Sequence, residues 1–326
     1  MAGQQRVLVV GATGFMGSFI AKEAAAKGHR VTALVSERSL GDPGKKATLE
    51  ELKAAGVELS KGSLESPQST LVELAKKADV IICAVNGKGV ELQSNLVQAA
   101  AAAGTVKQFF PAEFGIYGAV GVDACPTLFE PKAAVRKAIQ DAKLPYTYVV
   151  CYGFARYWAN KLGAIGKLDA VPPVMARSEP ATFYGDGNTP FVLNTEEDIA
   201  RYTVAAIGDE RVINKSLHIR PQLNTLTQHD LAYIWEDKVF RSDFMGSRLQ
   251  RHIISATELD AKIAEATDLS AKAFLQLQKA MTVTGTLGAL GSGDVDAVAL
   301  YPDVFYTPIA KYLGQTLKKF APELAG

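Results

Sequence analysis

A glycine turn between a short apolar strand and a helix constrains this chain more than any other feature of its sequence. Residues 6–10 read Arg-Val-Leu-Val-Val, and glycines follow at positions 11, 14 and 17, ahead of an alanine-rich stretch that ends at Gly28. Glycines at such a turn let the backbone approach a pyrophosphate, which the free N–H groups and the dipole of the helix N-terminus then hold. We therefore predict a dinucleotide site at this turn. Its residues are Gly11, Thr13, Gly14, Phe15, Met16 and Gly17.

The alternation of strand and helix continues to about residue 151. Further apolar strands are predicted at 30–35, 57–62, 79–85, 106–111 and 146–151, with helical patterns between them. Strands that alternate with helices of this length indicate βαβ crossovers, and nearly continuous apolar strands indicate a sheet covered on both faces. The sequence thus predicts an α/β fold with a Rossmann-type, doubly wound parallel sheet.

Beyond residue 152 the rhythm loosens, and glycine and proline cluster in 163–190. We expect residues 1–152 to form a dinucleotide-binding Rossmann domain. Residues 153–326 are expected to form mainly a smaller substrate-binding region, partly interleaved with the last strands of the sheet.

Charge and hydropathy exclude several classes of partner. The chain of 326 residues carries 35 basic and 34 acidic residues, a formal net charge of +1, which argues against a nucleic-acid partner. Its first residues lack a basic segment followed by a long apolar run, and no apolar run reaches the roughly 18 residues of a membrane span. We therefore expect a cytoplasmic protein with no membrane partner.

Cysteines and histidines do not indicate a metal site. The three cysteines are an odd number without paired-ligand spacing, which predicts reduced intracellular thiols. The four histidines stand in unrelated contexts and are interpreted as structural. These residues are Cys83, Cys125 and Cys151, and His29, His218, His229 and His252.

The end of the second strand bears on the choice of dinucleotide. An acid about 20 residues past the glycines favours NAD, and a base favours NADP. The strand ends in Ser36-Glu37-Arg38, which offers both: Glu37 suits ribose hydroxyls and Arg38 suits a 2′-phosphate. The basic pair Lys45-Lys46 follows closely and favours NADPH. Asn86 and Gly87, after the strand 79–85, stand where ligands bind in open α/β sheets.

Lys132 is the candidate acid–base residue. With Glu130 near the N-cap and Pro131 at the first helical position, Lys132 falls in the first turn of a helix, where the dipole disfavours a cation. Arg136 follows four residues later, so the two side chains lie on one edge of the apolar stripe. A partly desolvated lysine beside an arginine has a lowered pKa, which suits acid–base work. A surface lysine whose stem covers apolar neighbours is the alternative.

A rival acid–base pair lies farther along the chain. Tyr157 and Lys161 have the Tyr-x-x-x-Lys spacing of ordinary short-chain dehydrogenases. Those enzymes also need a hydroxyl, usually that of a serine, roughly a dozen residues upstream. No serine occurs between Ser94 and Ser178, and Thr147, ten residues before Tyr157, lies within a strand. Tyr157 is therefore interpreted first as a pocket wall or a packing residue.

Eight stretches resemble a single family, in the same order along nearly the whole chain. They are GATGFMG (11–17), FFPAEFG (109–115), EPKAAVRKAI (130–139), LPYTYV (144–149), GDGNT (185–189), EEDIARYT (196–203), NKSLHIRP (214–221) and LYPDVFYTPIAKYL (300–313). Together they resemble the isoflavone reductase-like, or phenylcoumaran benzylic ether reductase-like, group. That group lies within the atypical short-chain dehydrogenases, near the NmrA-like proteins.

The resemblance implies an NADPH-dependent reductase in which Lys132 is the proton donor or acceptor, with Arg136 beside it. It implies that the stretch FFPAEFG faces the cofactor, through Pro111 and Phe114, and that Phe154 stacks near the nicotinamide. The residues expected to bind the cofactor also include Lys46, which matches a lysine of the family, and Ser36.

Two departures from the family pattern affect the expected site. Ser36 stands where the family has an arginine on the 2′-phosphate, so Arg38 would have to substitute for it. The stretch 151–161 also differs from the plant pattern, in which a serine–asparagine pair precedes this point, so the plant substrates, benzylic ethers of lignans and isoflavones, do not carry over safely to this chain. Tyr152, Phe154 and Tyr157 are the candidate substrate contacts.

Our hypothesis from the sequence is an NADPH-dependent reductase of a small aromatic, carbonyl-bearing or benzylic metabolite. A homodimer is a possible assembly of this protein. One alternative is a non-catalytic NmrA-like sensor that binds NADP(H) and regulates a protein partner, although the retained Lys132 argues against it. Another is an epimerase or dehydratase that holds NAD tightly.

Overall fold

The computed structural model describes residues 3–160, 180–239, 249–320 and 322. The first half contains β1 (Arg6–Val10), α1 (Phe15–Ala26), β2 (Arg30–Val35), α2 (Glu37–Leu40), α3 (Lys46–Ala54), β3 (Glu58–Lys61), α4 (Gln68–Lys76), β4 (Val80–Cys83), α5 (Gly89–Ala103), β5 (Gln108–Phe110), α6 (Gly118–Ala124), α7 (Pro126–Asp141) and β6 (Thr147–Val150).

The second half contains shorter strands among helices. They are β7 (Gly153–Phe154), α8 (Ala155–Trp158), β8 (Ala181–Tyr184), β9 (Phe191–Asn194), α9 (Glu196–Ala205), β10 (Lys215–His218), β11 (Thr225–Leu226), α10 (Gln228–Val239), β12 (Arg251–Ile254), α11 (Ala256–Glu265), α12 (Leu269–Lys279), β13 (Asp294–Asp296), α13 (Ala297–Leu300) and α14 (Ile309–Phe320).

The central sheet is parallel and has the strand order β3-β2-β1-β4-β5. Val9 of β1 lies opposite Ala33 on one side and Ile82 on the other. A parallel bridge between Phe109 and Tyr146 brings β6 next to β5. From β6 a second parallel group continues with β10 and then β13. Strands from residues 215–218 and 294–296 therefore extend the row begun by the N-terminal half.

Helices cover both faces of the central sheet. On one face, α1, α3 and α9 share a core represented by Ile20, Leu52 and Tyr202. On the other, α4, α5 and α7 share a core represented by Leu71 and Leu96. The doubly wound α/β fold predicted from the alternation of strands and helices is confirmed.

A third core lies beneath the helices of the second half. It joins α8, α10, α14 and the end of α12, and contains the buried side chains Trp158, Phe191, Trp235, Met281 and Leu313. Two small sheets border it, β11-β9-β7 and β12-β8. Within the described ranges, no helix is long and apolar enough to cross a membrane.

The start of α7 differs from the prediction. The helix begins at Pro126, directly after Cys125, so Pro131 lies inside it and Lys132 lies in its second turn. A proline suits the first helical position, and the chain has one there, Pro126, five residues before the proline used in the prediction. Because dipole effects fade beyond the first turn, the predicted conflict between Lys132 and the helix dipole is wrong.

Candidate functional site

The glycine turn has the close packing that a dinucleotide site requires. Gly11 has a φ of 87°, and a Cβ there would lie 2.5 Å from the carbonyl oxygen of Ala84. A Cβ on Gly17 would lie 2.2 Å from the carbonyl oxygen of Gly11. Gly14 is the N-cap of α1 and offers no side chain to the first N–H groups of the helix. Those donors are thus free for a phosphate, which is the fit expected of a bound dinucleotide.

The residues after β2 favour a phosphorylated ribose. Glu37, the acid suited to a ribose diol, forms an ion pair with Lys61 of β3, and this lysine lowers the pKa of the carboxyl group. Ser36 caps α2 by accepting a hydrogen bond from the Ser39 backbone at 3.2 Å. Arg38 is exposed, and the described part of the chain gives it no ion-pair partner.

A second exposed cation, Lys46, begins α3 a short distance along the chain. With the acid of this loop already neutralised, the two free cations can bind a 2′-phosphate. The arrangement therefore fits NADPH better than NADH.

Two loops follow the carboxyl ends of β4 and β5, and the first of them lies against Gly11 of the glycine turn through Ala84. Asn86 and Gly87 follow β4 and are exposed. The loop after β5 contains the buried Pro111 and the half-buried Phe114, and the buried Gln93 of α5 accepts a hydrogen bond from the Ala112 backbone at 2.8 Å. The sequence therefore placed these residues correctly at the carboxyl edge of the sheet, where ligands of such folds bind.

Lys132 and Arg136 meet on Glu113, a residue that the sequence analysis did not select. Lys132 Nζ donates a hydrogen bond to the Glu113 backbone carbonyl at 2.5 Å. Arg136 donates two hydrogen bonds to the Glu113 carboxylate, at 2.7 and 2.5 Å. The Glu113 side chain is only 4% exposed, so this forked ion pair is largely shielded from water. Glu113 therefore binds Arg136 through its carboxylate and Lys132 through its backbone carbonyl.

The surroundings of Lys132 lower its pKa from the ordinary value of a lysine. Burial lowers the pKa of Lys132; the Glu113 carboxylate opposes this change, and Arg136 adds to it. The ammonium group also lies 4.7 Å from the centre of the Phe129 ring. Since Nζ donates one hydrogen bond, to the Glu113 backbone carbonyl, its other N–H groups are available to a ligand. A lowered pKa is what acid–base work by a lysine requires, so Lys132 is a candidate general acid or base.

Three aromatic rings connect the glycine turn to the second half of the chain. The ring of Phe15 lies 5.7 Å from that of Phe154 and 5.1 Å from that of Tyr157, and the latter two are 6.1 Å apart. The guanidinium of Arg156 lies 5.0 Å from the Phe15 ring. This cluster brings the predicted cofactor residue Phe15 against two predicted substrate contacts. Lys161, the partner of Tyr157 in the rival pair, lies outside the described residues.

Tyr152, the third predicted substrate contact, is buried, and its hydroxyl group lies 2.9 Å from His218 Nδ1. His218 was interpreted as structural without a partner being named. The other predicted site residues of the turn, Thr13 and Met16, are half-buried and buried respectively. In the described ranges, no group of three His, Cys, Asp or Glu side chains could hold a metal ion.

Glu196 is a second acid that the sequence analysis did not select. It begins α9, is 4% exposed, and its Oε1 atom has no hydrogen-bond partner among the described residues. Burial raises the pKa of Glu196 to about 7, although the positive charge of Arg156 opposes the change. The acid therefore titrates near neutral pH close to the aromatic cluster.

A separate cleft lies away from these residues. It has a volume of about 1060 Å³ and lies between the end of α1, α9 and the segment before α14. Lys27, His29, Tyr301 and Phe305 are among its lining residues. None of the predicted cofactor or substrate residues lines it.

Comparisons with a family model and with curated relatives assign this chain to one family. The model of the NmrA-like family matches residues 3–313. A phenylcoumaran benzylic ether reductase of Ginkgo biloba is 35% identical over 317 residues, which are 96% of this chain and 99% of the relative. One from Pyrus communis is 36% identical over 97% of this chain and 99% of the relative.

Two similar solved structures are complexes with NADP(H). AtPrR2 with NADP⁺ and (+)-pinoresinol is 33% identical with a TM-score of 0.85, over 96% of this chain and 99% of that chain. The binary complex of leucoanthocyanidin reductase with NADPH from Vitis vinifera is 26% identical with a TM-score of 0.83, at the same coverage.

Proposed function

This chain belongs to the NmrA-like family, and from that premise we propose that it reduces a small aromatic metabolite with NADPH, using Lys132 as general acid or base. It is an NADPH-dependent oxidoreductase of the isoflavone reductase-like type. The observation that carries the catalytic assignment is the position of Lys132: it is desolvated, hydrogen-bonded to Glu113, and has protons left for a ligand.

Residues of the turn and the first loops would hold the cofactor. The N-terminus of α1 would bind the pyrophosphate, and Arg38 and Lys46 the 2′-phosphate. Pro111, Phe114 and Phe154 would border the nicotinamide. When bound, NADPH supplies the hydride.

Lys132 manages the proton that accompanies the reduction. A hydride added to a carbonyl carbon leaves negative charge on the carbonyl oxygen. At a benzylic ether carbon, the hydride displaces the ether oxygen, so the C–O bond breaks and the departing oxygen carries the charge. Lys132 gives that oxygen a proton, or stabilises the charge as it develops. Its hydrogen bond to Glu113 fixes the direction of the ammonium group, while the forked Arg136–Glu113 pair keeps the loop in place. Tyr157 and Phe154 would pack against the aromatic part of the substrate.

The substrate class follows from the relatives and from the aromatic cluster. AtPrR2 is solved with (+)-pinoresinol, and the Ginkgo and Pyrus relatives are named for benzylic ethers. A panel of aromatic ketones, enones, benzylic ethers and lignans, assayed by loss of NADPH absorbance, tests the proposal. Reduction of at least one aromatic class is expected. NADP(H) binding with no turnover of any of them, together with capture of a protein partner, would favour the sensor instead.

A further inference from the structure

Tyr152, the second residue after β6, has a backbone conformation that tyrosine rarely adopts. Its φ is 59°, in the left-handed region that favours glycine and asparagine. A side chain with a Cβ remains there only when its surroundings hold it, and such residues cluster at functional sites. The contacts of Tyr152 therefore matter more than those of an ordinary buried tyrosine.

A buried histidine and an aspartate hold the Tyr152 side chain. The Tyr152 hydroxyl group lies 2.9 Å from His218 Nδ1, and the two residues are 3% and 2% exposed. His218 Nε2 lies 3.2 Å from Asp294 Oδ1, and the Tyr117 side chain is a further polar neighbour of Asp294. The backbone N–H of Gly291 donates to the second Asp294 oxygen at 2.7 Å.

The protonation of His218 follows from these contacts. Burial lowers its pKa, while the Asp294 carboxylate opposes this change and Arg220 adds to it. With the ring neutral and Nδ1 accepting the hydrogen bond from the Tyr152 hydroxyl group, the ring proton is on Nε2, which lies beside Asp294 Oδ1. The three side chains come from the carboxyl end of β6, from β10 and from β13, which are neighbours in one parallel group.

The backbone of Tyr152 is connected to the candidate acid–base residue. The N–H groups of Cys151 and Tyr152 both donate to the carbonyl of Gly115, at 3.1 and 2.9 Å. Gly115 follows Glu113 by two residues, and the Glu113 carbonyl is the acceptor for Lys132. The conformation at Tyr152 therefore sets the loop that orients Lys132.

The same backbone also leads to the cofactor side of the site. Gly153 and Phe154 follow Tyr152 directly as β7, which pairs with β9. The Phe154 ring lies 5.7 Å from that of Phe15 in the glycine turn. The backbone at Tyr152 thus connects the loop that binds Lys132 with the strand that carries Phe154, which borders the nicotinamide in the proposed site.

We propose that Tyr152, His218 and Asp294 are positioning residues. The contacts among their three side chains fix the backbone at Tyr152, and that backbone places Lys132 and Phe154 for the reaction. The inference rests on the proposed role of Lys132. It does not require that Tyr152 or His218 touch the substrate.

Tyr152→Phe and His218→Phe test the proposal on a substrate that the wild type reduces. Each removes the hydroxyl–imidazole bond, and a small misplacement of reacting groups costs up to about 100-fold in rate. We expect each variant to lower kcat by about 10-fold or more, with the Kd for NADPH changed less than about twofold. The double variant should lose no more than either single one, because both remove one bond.

Tyr152→Asn separates positioning from direct action of the hydroxyl group. Asparagine adopts the left-handed backbone readily and needs no anchor, so its kcat should be closer to wild type than that of Tyr152→Phe. Tyr202→Phe is the matched control: it removes a buried hydroxyl that donates to the Val304 carbonyl at 2.9 Å, away from the site. That control should keep kcat.

Several results would overturn the inference. These are a full kcat in Tyr152→Phe, additive losses in the double variant, or equal losses in the asparagine and phenylalanine variants. If Lys132→Ala loses activity while Tyr152→Phe keeps it, only this inference fails. If Lys132→Ala itself stays active, the proposed function fails and this inference fails with it.

Discussion

Replacing Glu196 with glutamine should change how the stability of the protein depends on pH. Burial raises the pKa of this acid from its ordinary 4.5 to about 7 in the folded protein. A carboxyl group with a raised folded pKa takes up a proton on folding between the two values. The free energy of unfolding that depends on Glu196 therefore falls as the pH rises from about 4.5 to about 7 and stays lower above that.

The size of the effect follows from the two pKa values. Each tenfold change in proton affinity is worth about 1.4 kcal/mol, so the ionised Glu196 costs the folded state about 3 kcal/mol at about pH 8. The Glu196→Gln variant has no charge to bury. It should match the wild type near pH 4 and exceed its free energy of unfolding by about 3 kcal/mol near pH 8.

Urea denaturation followed by tryptophan fluorescence at several pH values measures this difference, since Trp158 and Trp235 are both buried. Glu91→Gln is the matched control, because Glu91 also lies in a first helical turn but is exposed. A difference for Glu196→Gln that is constant with pH, or that grows towards acid, would refute the reasoning.

Three further perturbations test other parts of the site. Lys61→Ala frees Glu37 to face a ribose diol and should lower the ratio of kcat/KM for NADPH over NADH, whereas an unchanged ratio would contradict the cofactor assignment. Gly17→Ala places a Cβ 2.2 Å from a backbone carbonyl and should abolish NADPH binding in a titration; tight binding would contradict it. Glu113→Gln breaks the buried ion pair with Arg136 and should lower the free energy of unfolding by about 3 kcal/mol. An unchanged free energy of unfolding would show that this ion pair does not stabilise the fold.

Local sequence patterns predicted the parts of the fold and site that depend on neighbours along the chain. The glycine turn follows from three glycines between a strand and a helix. The meeting of Lys132 and Arg136 follows from their spacing of four on one helix. The start of that helix was predicted wrongly because two prolines, Pro126 and Pro131, both suit the first helical position. The helix begins at Pro126.

Contacts between distant elements could not be read from the sequence. Glu113 meets Arg136 across 23 residues, and only its place at the end of a strand could have drawn attention to it. Tyr152 meets His218 across 66 residues, through the pairing of β6 with β10. A raised pKa at Glu196 depends on burial by several elements at once, which no spacing along the chain reveals.

Turnover by Lys132→Ala is the most direct test of the central claim. The variant should bind NADPH with a Kd close to that of the wild type, because the turn and the cations after β2 are untouched. Its rate with an aromatic substrate should fall by about 100-fold or more, the loss typical of a missing general acid or base. Tyr157→Phe, measured beside it, should retain most activity. A Lys132→Ala enzyme near the wild-type rate, with Tyr157→Phe inactive, would contradict the account.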